Sequence, residues 1–319
     1  MSRGFDVDVL TPRAPGTPET EVMDGVNVYR YGYFLRSLER LSYGGGILPK
    51  LKANPLYFGL VPFLVAGLVR ATRRSIRARN YAFVHAHWII PQAFCACIGR
   101  GSIGPPLLVT SHGGDLFGLR AAPFRWLKSW TLQRCEEVAV VSHYMQDIVV
   151  VEHGVPRERV HVLPMGVDLS ARFSTTNQAK RDPGRLVFVG RLVDKKGVGH
   201  LVDAVRILKE RLPNVQLDII GDGPLLDSLQ RRTRELGLAE SVHFHGALPQ
   251  DRIPRFLGTA AVAVVPSVIA RGGDQEGLGL VTIEAMGCGC PVVASDLPAI
   301  RDVVEHERTG LLATPGDPA

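Results

Sequence analysis

The sequence predicts an α/β protein made of two parallel-sheet domains, and three observations lead there. Short apolar runs alternate with helix-length segments, the pattern restarts after a polar tract, and 319 residues at 45% hydrophobic and 21% charged can fill two ordinary cores. FDVDVL (5–10), FVHAHW (83–88), LLVTS (107–111), VAVVS (138–142) and VHVLP (160–164) read as strands buried on both faces. STTNQAKRDPG (174–184) reads as a linker. Beyond it come LVFVG (186–190), LDIIG (217–221), VHFHG (242–246), VAVVP (262–266), PVVAS (291–295) and GLLAT (310–314), again spaced by helical segments. The expected division is therefore a first domain over 1–172, a linker over 173–184 and a second domain over 185–319.

Charge is distributed unevenly. Lys and Arg outnumber Asp and Glu by 20 to 13 in residues 1–172, against 17 to 18 in the rest, so the net +6 resides in the first half. No acidic residue lies between Glu39 and Asp115, and Arg70, Arg73, Arg74, Arg77 and Arg79 follow the apolar stretch PLYFGLVPFLVAGLV (55–69). An apolar segment leading into a basic cluster suits an anionic membrane surface, and equally a solvated helix face. The stretch is about fifteen residues long and broken by Pro62, which reads as too short to span a bilayer. Nucleic acid is not expected as a partner, because no recognition motif or basic–aromatic interleaving accompanies the charge. Cys95, Cys97, Cys135, Cys288 and Cys290 are odd in number, and their C-x-C pairs lack the C-x-x-C spacing of zinc sites. They read as buried thiols in a reducing compartment. MSRGFDVDVL has no apolar core of signal-peptide length.

Ligands of open parallel sheets sit beyond the carboxyl ends of the strands. The conspicuous residues fall there. After LVFVG, RLVDKKG (191–197) places Arg191 at a strand end and Lys196 five residues on, before a helix starting near Val198. Two cations at such a turn suit phosphate oxygens, though the residue types fit an ordinary polar loop as well. LDIIG runs into DGP (222–224), a glycine turn at Gly221 that lets a flat ligand approach the backbone; without G-x-G-x-x-G, a dinucleotide reading is weak. Contacts to a base are expected near HGALP (245–249), which contains Gly246, and at the strand end near Pro266.

EGLGLVTIE (276–284) sets two carboxylates on either side of a glycine pair. If Thr282–Met286 is helical, Gly277 to Leu280 offer free N–H groups at a helix N-terminus, and Gly279 and Leu280 become a seat for a diphosphate. Glu276 then lies in the preceding loop and Glu284 about one turn into the helix, each able to accept hydrogen bonds from hydroxyls. Spacing alone also fits a loop carboxylate and a surface helical glutamate. His85 and His87, two apart on a strand, face one side; with no third ligand nearby they read as cleft-lining or packed rather than metal-binding. Asp115 either orients His112, takes an acceptor proton or caps the segment from Leu116. Asp168 reads as structural, and Ser142 as a helix N-cap.

GRLVDKKG, IIGDGP, HGALP, PSVIARGGDQEGLGLVTIEAMGCGCPVVAS and TGLLATPGD together resemble the donor-binding half of the large retaining GT-B glycosyltransferase family, which includes bacterial mannosyl- and glucosyltransferases of lipid and polysaccharide synthesis. The likeness continues upstream in HAHWIIPQ, TSHGGD, VVSHYMQDI and VLPMGVD and covers about residues 5 to 317. It implies two Rossmann-like domains facing a cleft. It also implies that Arg191 and Lys196 bind the nucleotide diphosphate, Glu276 the donor sugar hydroxyls and Glu284 the ribose, with His112 close to the anomeric carbon. His87 and Asp115 are then candidates on the acceptor side.

The chemistry that follows is transfer of a hexose from a UDP- or GDP-sugar to a lipid-linked or polysaccharide acceptor, without a metal or other cofactor, by same-face attack within a short-lived ion pair. No D-x-D pair lies in a fitting context, since Asp6 and Asp8 belong to the first strand. The basic first half favours a cytoplasmic protein, peripheral at the inner face of the cell membrane. The chain departs from complete family members in starting after their first strand and glycine-rich loop and in stopping before their last helices. A fragment or a misassigned start is therefore expected, with neighbouring strand edges exposed. A nucleotide-sugar 2-epimerase, a phosphorylase and a non-catalytic nucleotide-sugar binder remain as alternatives on the same scaffold.

Overall fold

The structure, a computed structural model, describes residues 4–43, 47–174 and 180–319. In its first part, β1 (Asp8–Pro12) pairs in parallel with β3 (Val26–Tyr31), and β2 (Thr20–Met23) returns antiparallel along the far side of β3. Asp24 (φ 49°) and Gly25 (φ 79°) form the two-residue turn between β2 and β3, both in the positive-φ region that such hairpins require. The sequence reading passes over this hairpin, and the FDVDVL strand begins at Asp8 rather than Phe5.

Next come α1 (Ile47–Ala53), α2 (Val61–Ala78), β4 (Val84–His87), α3 (Phe94–Arg100) and β5 (Leu107–Ser111). They are followed by α4 (Gly114–Phe117), α5 (Ala122–Leu132), β6 (Glu137–Val140), α6 (His143–His153) and β7 (Val160–Val162). A second sheet has the order β4-β5-β6-β7, with β4 parallel to β5. β4 is an edge strand, and His85 and His87 on it are exposed, so it is not buried on both faces as the apolar run suggests.

The apolar stretch needs a second correction. Pro62 occupies the first turn of α2, where a missing N–H leaves no hydrogen bond unmade. Helical backbone consequently runs from Pro55 to Ala78, 24 residues, long and apolar enough to cross a membrane by length and composition alone, with only 17% of the apolar window buried. Leu64 and Leu68 turn inward to a core with Tyr31, Leu41, Leu51 and Cys95.

The second half forms one larger sheet. Its elements are β8 (Asp182–Val189), α7 (Val198–Lys209), β9 (Gln216–Ile220), α8 (Leu226–Glu235), β10 (Val242–Gly246), α9 (Ile253–Thr259), β11 (Ala260–Val265), α10 (Leu280–Gly287), β12 (Val292–Ser295) and β13 (Leu311–Ala313). The strand order is β10-β9-β8-β11-β12-β13, every pair parallel. Adjacent residues of β8 feed opposite cores. Phe188 packs with Val198, Leu201 and Val205 of α7, while Val187 packs with Leu257 of α9 and Ala285 of α10. This two-sided burial explains why these strands read as continuous apolar runs. Residues 175–179 of the tract read as linker lie outside the described residues.

By compactness the chain divides into two units. The first is Met1–Ser111 with Pro123–Ala139 and His153–Arg159; the second is His112–Ala122 and Val140–Glu152 with Val160–Ala319. The segment holding His112 and Asp115 thus packs with the second unit. All five cysteines are buried and free.

Candidate functional site

The order of the six-stranded sheet reverses between β8 and β11: one neighbour series runs outward to β10, the other to β13. Crossovers leave these two adjacent strands in opposite directions, which opens a crevice beyond their carboxyl ends. The turn after β8 carries Arg191 and Lys196, and the loop after β11 carries Glu276. The fold therefore supplies a reason for residues eighty positions apart to meet.

They meet first through backbone. Gly197, in the left-handed region (φ 62°, ψ 20°), starts α7 against the carbonyl oxygen of Pro266, which leaves no room for a Cβ. Val268 N–H donates to the Lys195 carbonyl at 2.8 Å. Side chains then reinforce the seam. Lys195 Nζ lies 3.0 Å from Asp274 Oδ1 and 3.3 Å from the Gln275 carbonyl. The Gln275 side chain is buried and its Nε2 donates to Tyr144 Oη at 3.4 Å.

One residue after Lys195 and two after Asp274, Lys196 Nζ stands 2.9 Å from Glu276 Oε1. The Glu276 carboxylate is 8% exposed, and Oε1 takes no aligned hydrogen bond despite its charged neighbour. The attraction is Coulombic, and an acceptor position remains unfilled. Lys196 also acts on Glu284, whose carboxyl burial pushes above the usual glutamate range while the ammonium partly opposes the shift. Two glutamates singled out from sequence, Glu276 and Glu284, are thus brought together around one cation, Lys196.

α10 begins at Leu280 behind Gly279, again left-handed (φ 80°, ψ 58°), and no side chain caps it. A Cβ on Gly279 would come 2.6 Å from Ile300 Cδ1, so glycine is required here by both conformation and space. The uncapped start leaves backbone N–H groups and the positive end of the helix dipole for an anionic group. Against this loop lies the His112 turn: a Cβ on Gly277 would stand 3.1 Å from the His112 carbonyl oxygen and 3.3 Å from Met145 Sδ. Asp115 is buried within α4 and its Oδ1 accepts the His112 backbone N–H at 3.0 Å, which fixes the turn.

The other candidates stand apart. Arg191 is exposed and makes no side-chain ion pair among the described residues, though it leaves the same turn as Lys196. Gly221 (φ 140°) is needed because a Cβ would overlap the Gly190 carbonyl oxygen, an internal reason for glycine whether or not a ligand is bound. Gly246 (φ 67°) ends β10 with open space around its Cα. His87 belongs to the first unit; its ring lies 4.3 Å from that of His85, which in turn contacts Thr110 Oγ1 at 2.7 Å. Among the described residues no three His, Cys, Asp or Glu side chains converge as a metal site. Ser142 Oγ accepts the Met145 N–H at 3.4 Å, capping α6 as read from sequence. Asp168 sits in a local turn, its pKa lowered by the N–H of Ala171 and the hydroxyl of Ser170. Lys195 and Asp274 are what sequence reasoning missed, although the doubled lysine and the two acids of the D-Q-E run offer two cations for two carboxylates.

Comparison with known proteins bears on the whole chain. Residues 1–171 match Glycosyltransferase Family 4, and residues 171–319 match Glycosyl transferases group 1. The amylovoran biosynthesis glycosyltransferase of Erwinia amylovora is 36% identical over 164 residues, 51% of this chain and 40% of that protein. A GDP-mannose-dependent alpha-(1-6)-phosphatidylinositol monomannoside mannosyltransferase of Mycolicibacterium smegmatis is 34% identical over 69% of this chain and 60% of its own length. The chain thus spans less than two thirds of these two relatives. An uncharacterised glycosyltransferase of Methanocaldococcus jannaschii aligns with all of this chain at 30% identity and over 79% of its own length. Among solved structures, sucrose-phosphate synthase from Thermosynechococcus elongatus superposes with a TM-score of 0.75 at 23% identity, covering 99% of this chain and 78% of that one. Anabaena HepE in complex with UDP and glucose gives 0.69 at 21% identity, covering 92% and 74%. At those identities the likeness is one of fold, and the fold is the parallel-sheet α/β architecture of the GT-B type.

Proposed function

We propose, because the chain belongs to glycosyltransferase family 4, that it is a retaining hexosyltransferase whose donor is a UDP- or GDP-linked sugar and whose acceptor is a lipid-linked glycan or a polysaccharide. The observation that carries this reading is the convergence of Lys196, Glu276, Glu284 and the uncapped start of α10 at the switch point of the six-stranded sheet. Named relatives with GDP-mannose and UDP in their descriptions support a nucleotide-sugar donor.

Chemically, departure of a nucleoside diphosphate leaves negative charge on the phosphates and oxocarbenium character on the sugar ring. Fixed positive groups aimed at the phosphates lower that barrier without reorganising. Arg191, Lys196 and the N–H groups at Gly279 and Leu280 take that role here, so no divalent metal is needed. Glu284 accepts from the ribose hydroxyls; the proton-favouring burial of its carboxyl is offset once hydroxyl donors and Lys196 face it. Glu276 accepts from sugar hydroxyls, Gly221 and Gly246 border the nucleotide, and His112 lies near the anomeric carbon. With no separate carboxylate placed as a nucleophile, the acceptor attacks from the face the leaving group vacates; isolation of a peptide glycosylated at Glu276 would overturn that step. His87 and Asp115 belong to the acceptor side.

The basic, acid-free stretch of the first half supports a cytoplasmic protein working on such an acceptor, peripheral at the anionic inner membrane surface. Exposed Leu56 (84%), Phe58 (60%) and Phe63 (47%) precede exposed Arg70, Arg73, Arg74 and Arg77 along one helical stretch, a succession of apolar and basic side chains that an interface favours. The deciding experiment on the donor is a melting-temperature panel with UDP, GDP, UDP-glucose and GDP-mannose, with and without EDTA. A ligand that binds only the folded state raises the transition. A rise with one nucleotide series, insensitive to EDTA, is expected; no rise with any of them sinks the reading.

A further inference from the structure

We infer that the Lys196–Glu276 ion pair is a latch, broken by the donor diphosphate and remade when the sugar-free nucleotide leaves. This rests on the donor reading above and adds an order to it. Glu276 faces the ammonium at 2.9 Å, yet its Oε1 lacks an aligned hydrogen bond and the carboxylate is nearly buried. The misaligned contact leaves an acceptor position on a nearly buried carboxylate open to a hydroxyl donor.

The geometry sets up a competition for one cation. Phosphate oxygens draw Lys196 Nζ toward the start of α10, and Glu276 is then left buried without its counter-charge. Only a ligand that also brings hydroxyls to Glu276 relieves that cost. A complete nucleotide sugar does so. Free UDP or GDP does not, because it takes the lysine and leaves the carboxylate uncompensated. The latch thereby penalises the product more than the donor, and its re-closure assists product release.

The neighbouring rung makes the competition sharp. Lys195, held by Asp274 and the Gln275 carbonyl, clamps the loop so that Glu276 cannot simply swing out with its partner. Val268 N–H on the Lys195 carbonyl and the close passage of Gly197 against Pro266 fix the other side. Adjacent lysines thus do different things: Lys195 holds the frame, and Lys196 exchanges partners inside it.

Calorimetry on the full chain tests this with UDP, GDP, UDP-glucose and GDP-mannose against wild type, Glu276→Gln and Glu276→Ala. Removing the negative charge frees Lys196, so both variants should bind the free diphosphate about fivefold or more tighter than wild type, above the range of a solvent-exposed ion pair because this one is nearly buried. Both should bind the matching nucleotide sugar more weakly. The ratio of the two affinities therefore inverts, which a merely structural role would not produce. Melting curves of the empty variants establish that each is folded, and two variants guard against failure of one. Unchanged or weakened binding of the free diphosphate in both overturns the latch while leaving the donor reading intact. Wild type that binds none of the four ligands removes the donor reading, and the latch with it.

Discussion

The six-stranded sheet of the second half and the two smaller sheets of the first half come from similar sequence and yet serve different ends. In the former, β8 and β11 feed cores on both faces, the buried charge within the neighbouring strands, Asp218, is paired with Arg185 and His245, and the candidate site residues lie in the loops beyond the carboxyl ends. In the latter, β1 and β4 are edge strands, Val7 and Val9 are 41% and 38% exposed, and basic residues spread over the surface of α2. Chemistry concentrates where the sheet is closed on both faces, while the open part offers surface. Lys196→Ala tests the first statement most severely. If Lys196 faces the leaving phosphate as proposed, its removal should lower kcat/KM by about a hundredfold or more, in the range found for single electrostatic donors. Arg74→Ala, on the exposed face of α2, should leave turnover of a soluble acceptor analogue unchanged. Comparable losses in the two variants would erase the distinction.

The same contrast governs what could be read from sequence. Phe188 and Val187 point to opposite cores, so LVFVG shows as an apolar run. In β2 and β3 the side chains alternate with polar and charged ones, TEVM and VNVYRY, and the run disappears. The signal that remains is Asp24-Gly25, the strongest short-range mark of a hairpin. Arg191, Lys196, Glu276 and Glu284 are visible individually because each sits at a loop or helix start. The meeting of Lys196 with Glu276 and Glu284 is not visible, since it depends on β8 and β11 being neighbours at a reversal of strand order. Pro62 misleads because its effect depends on position: it breaks a helix interior but is harmless in a first turn.

Glycines sharpen the comparison next. Gly221 in the large sheet has no space for a Cβ against the Gly190 carbonyl and adopts φ 140°. Gly221→Ala should cost about 3 kcal/mol, a backbone clash added to strain. Gly25 sits in an exposed turn at φ 79°, where alanine brings strain alone. Gly25→Ala should cost about 1 kcal/mol. Urea unfolding of both variants measures the difference; equal midpoints would show that the first glycine is tolerated by relaxation of the strand end.

Surface charge in the first half has its own readout. Arg70, Arg74 and Arg77 are exposed and make no ion pair among the described residues. Each cation near an anionic bilayer contributes about 1 kcal/mol, so a triple change to glutamine should reduce sedimentation with phosphatidylglycerol vesicles by roughly a hundredfold in partition coefficient. Salt should weaken wild-type binding in parallel. Equal sedimentation with neutral phosphatidylcholine vesicles would remove the electrostatic basis of the contact.

The smallest effect separates two glutamates, one from each half. Glu39 is buried, which by itself raises its pKa, but hydrogen bonds from Arg13 and from the N–H groups of Phe34 and Tyr33 outweigh burial and hold it below the glutamate value of 4.5. Glu284 is raised by burial, and Lys196 only partly offsets that. The signs are opposite. A depressed pKa means that Glu39 stabilises the fold above pH 4.5 and that this contribution is lost as pH falls through its folded value. A raised pKa means that ionised Glu284 destabilises the empty fold at neutral pH, and that stability is regained as pH falls through its folded value toward 4.5. Glu39→Gln should therefore lower the melting temperature at pH 7, and Glu284→Gln should raise it slightly, with both differences shrinking in acid. Glu284→Gln should at the same time weaken nucleotide binding, because a buried carboxylate without matched donors is tolerated for the sake of a ligand. If Glu284→Gln instead melts lower than wild type at pH 7, the carboxylate is already satisfied in the empty site, and the division between a half that settles its own charges and a half that leaves them for a substrate no longer holds.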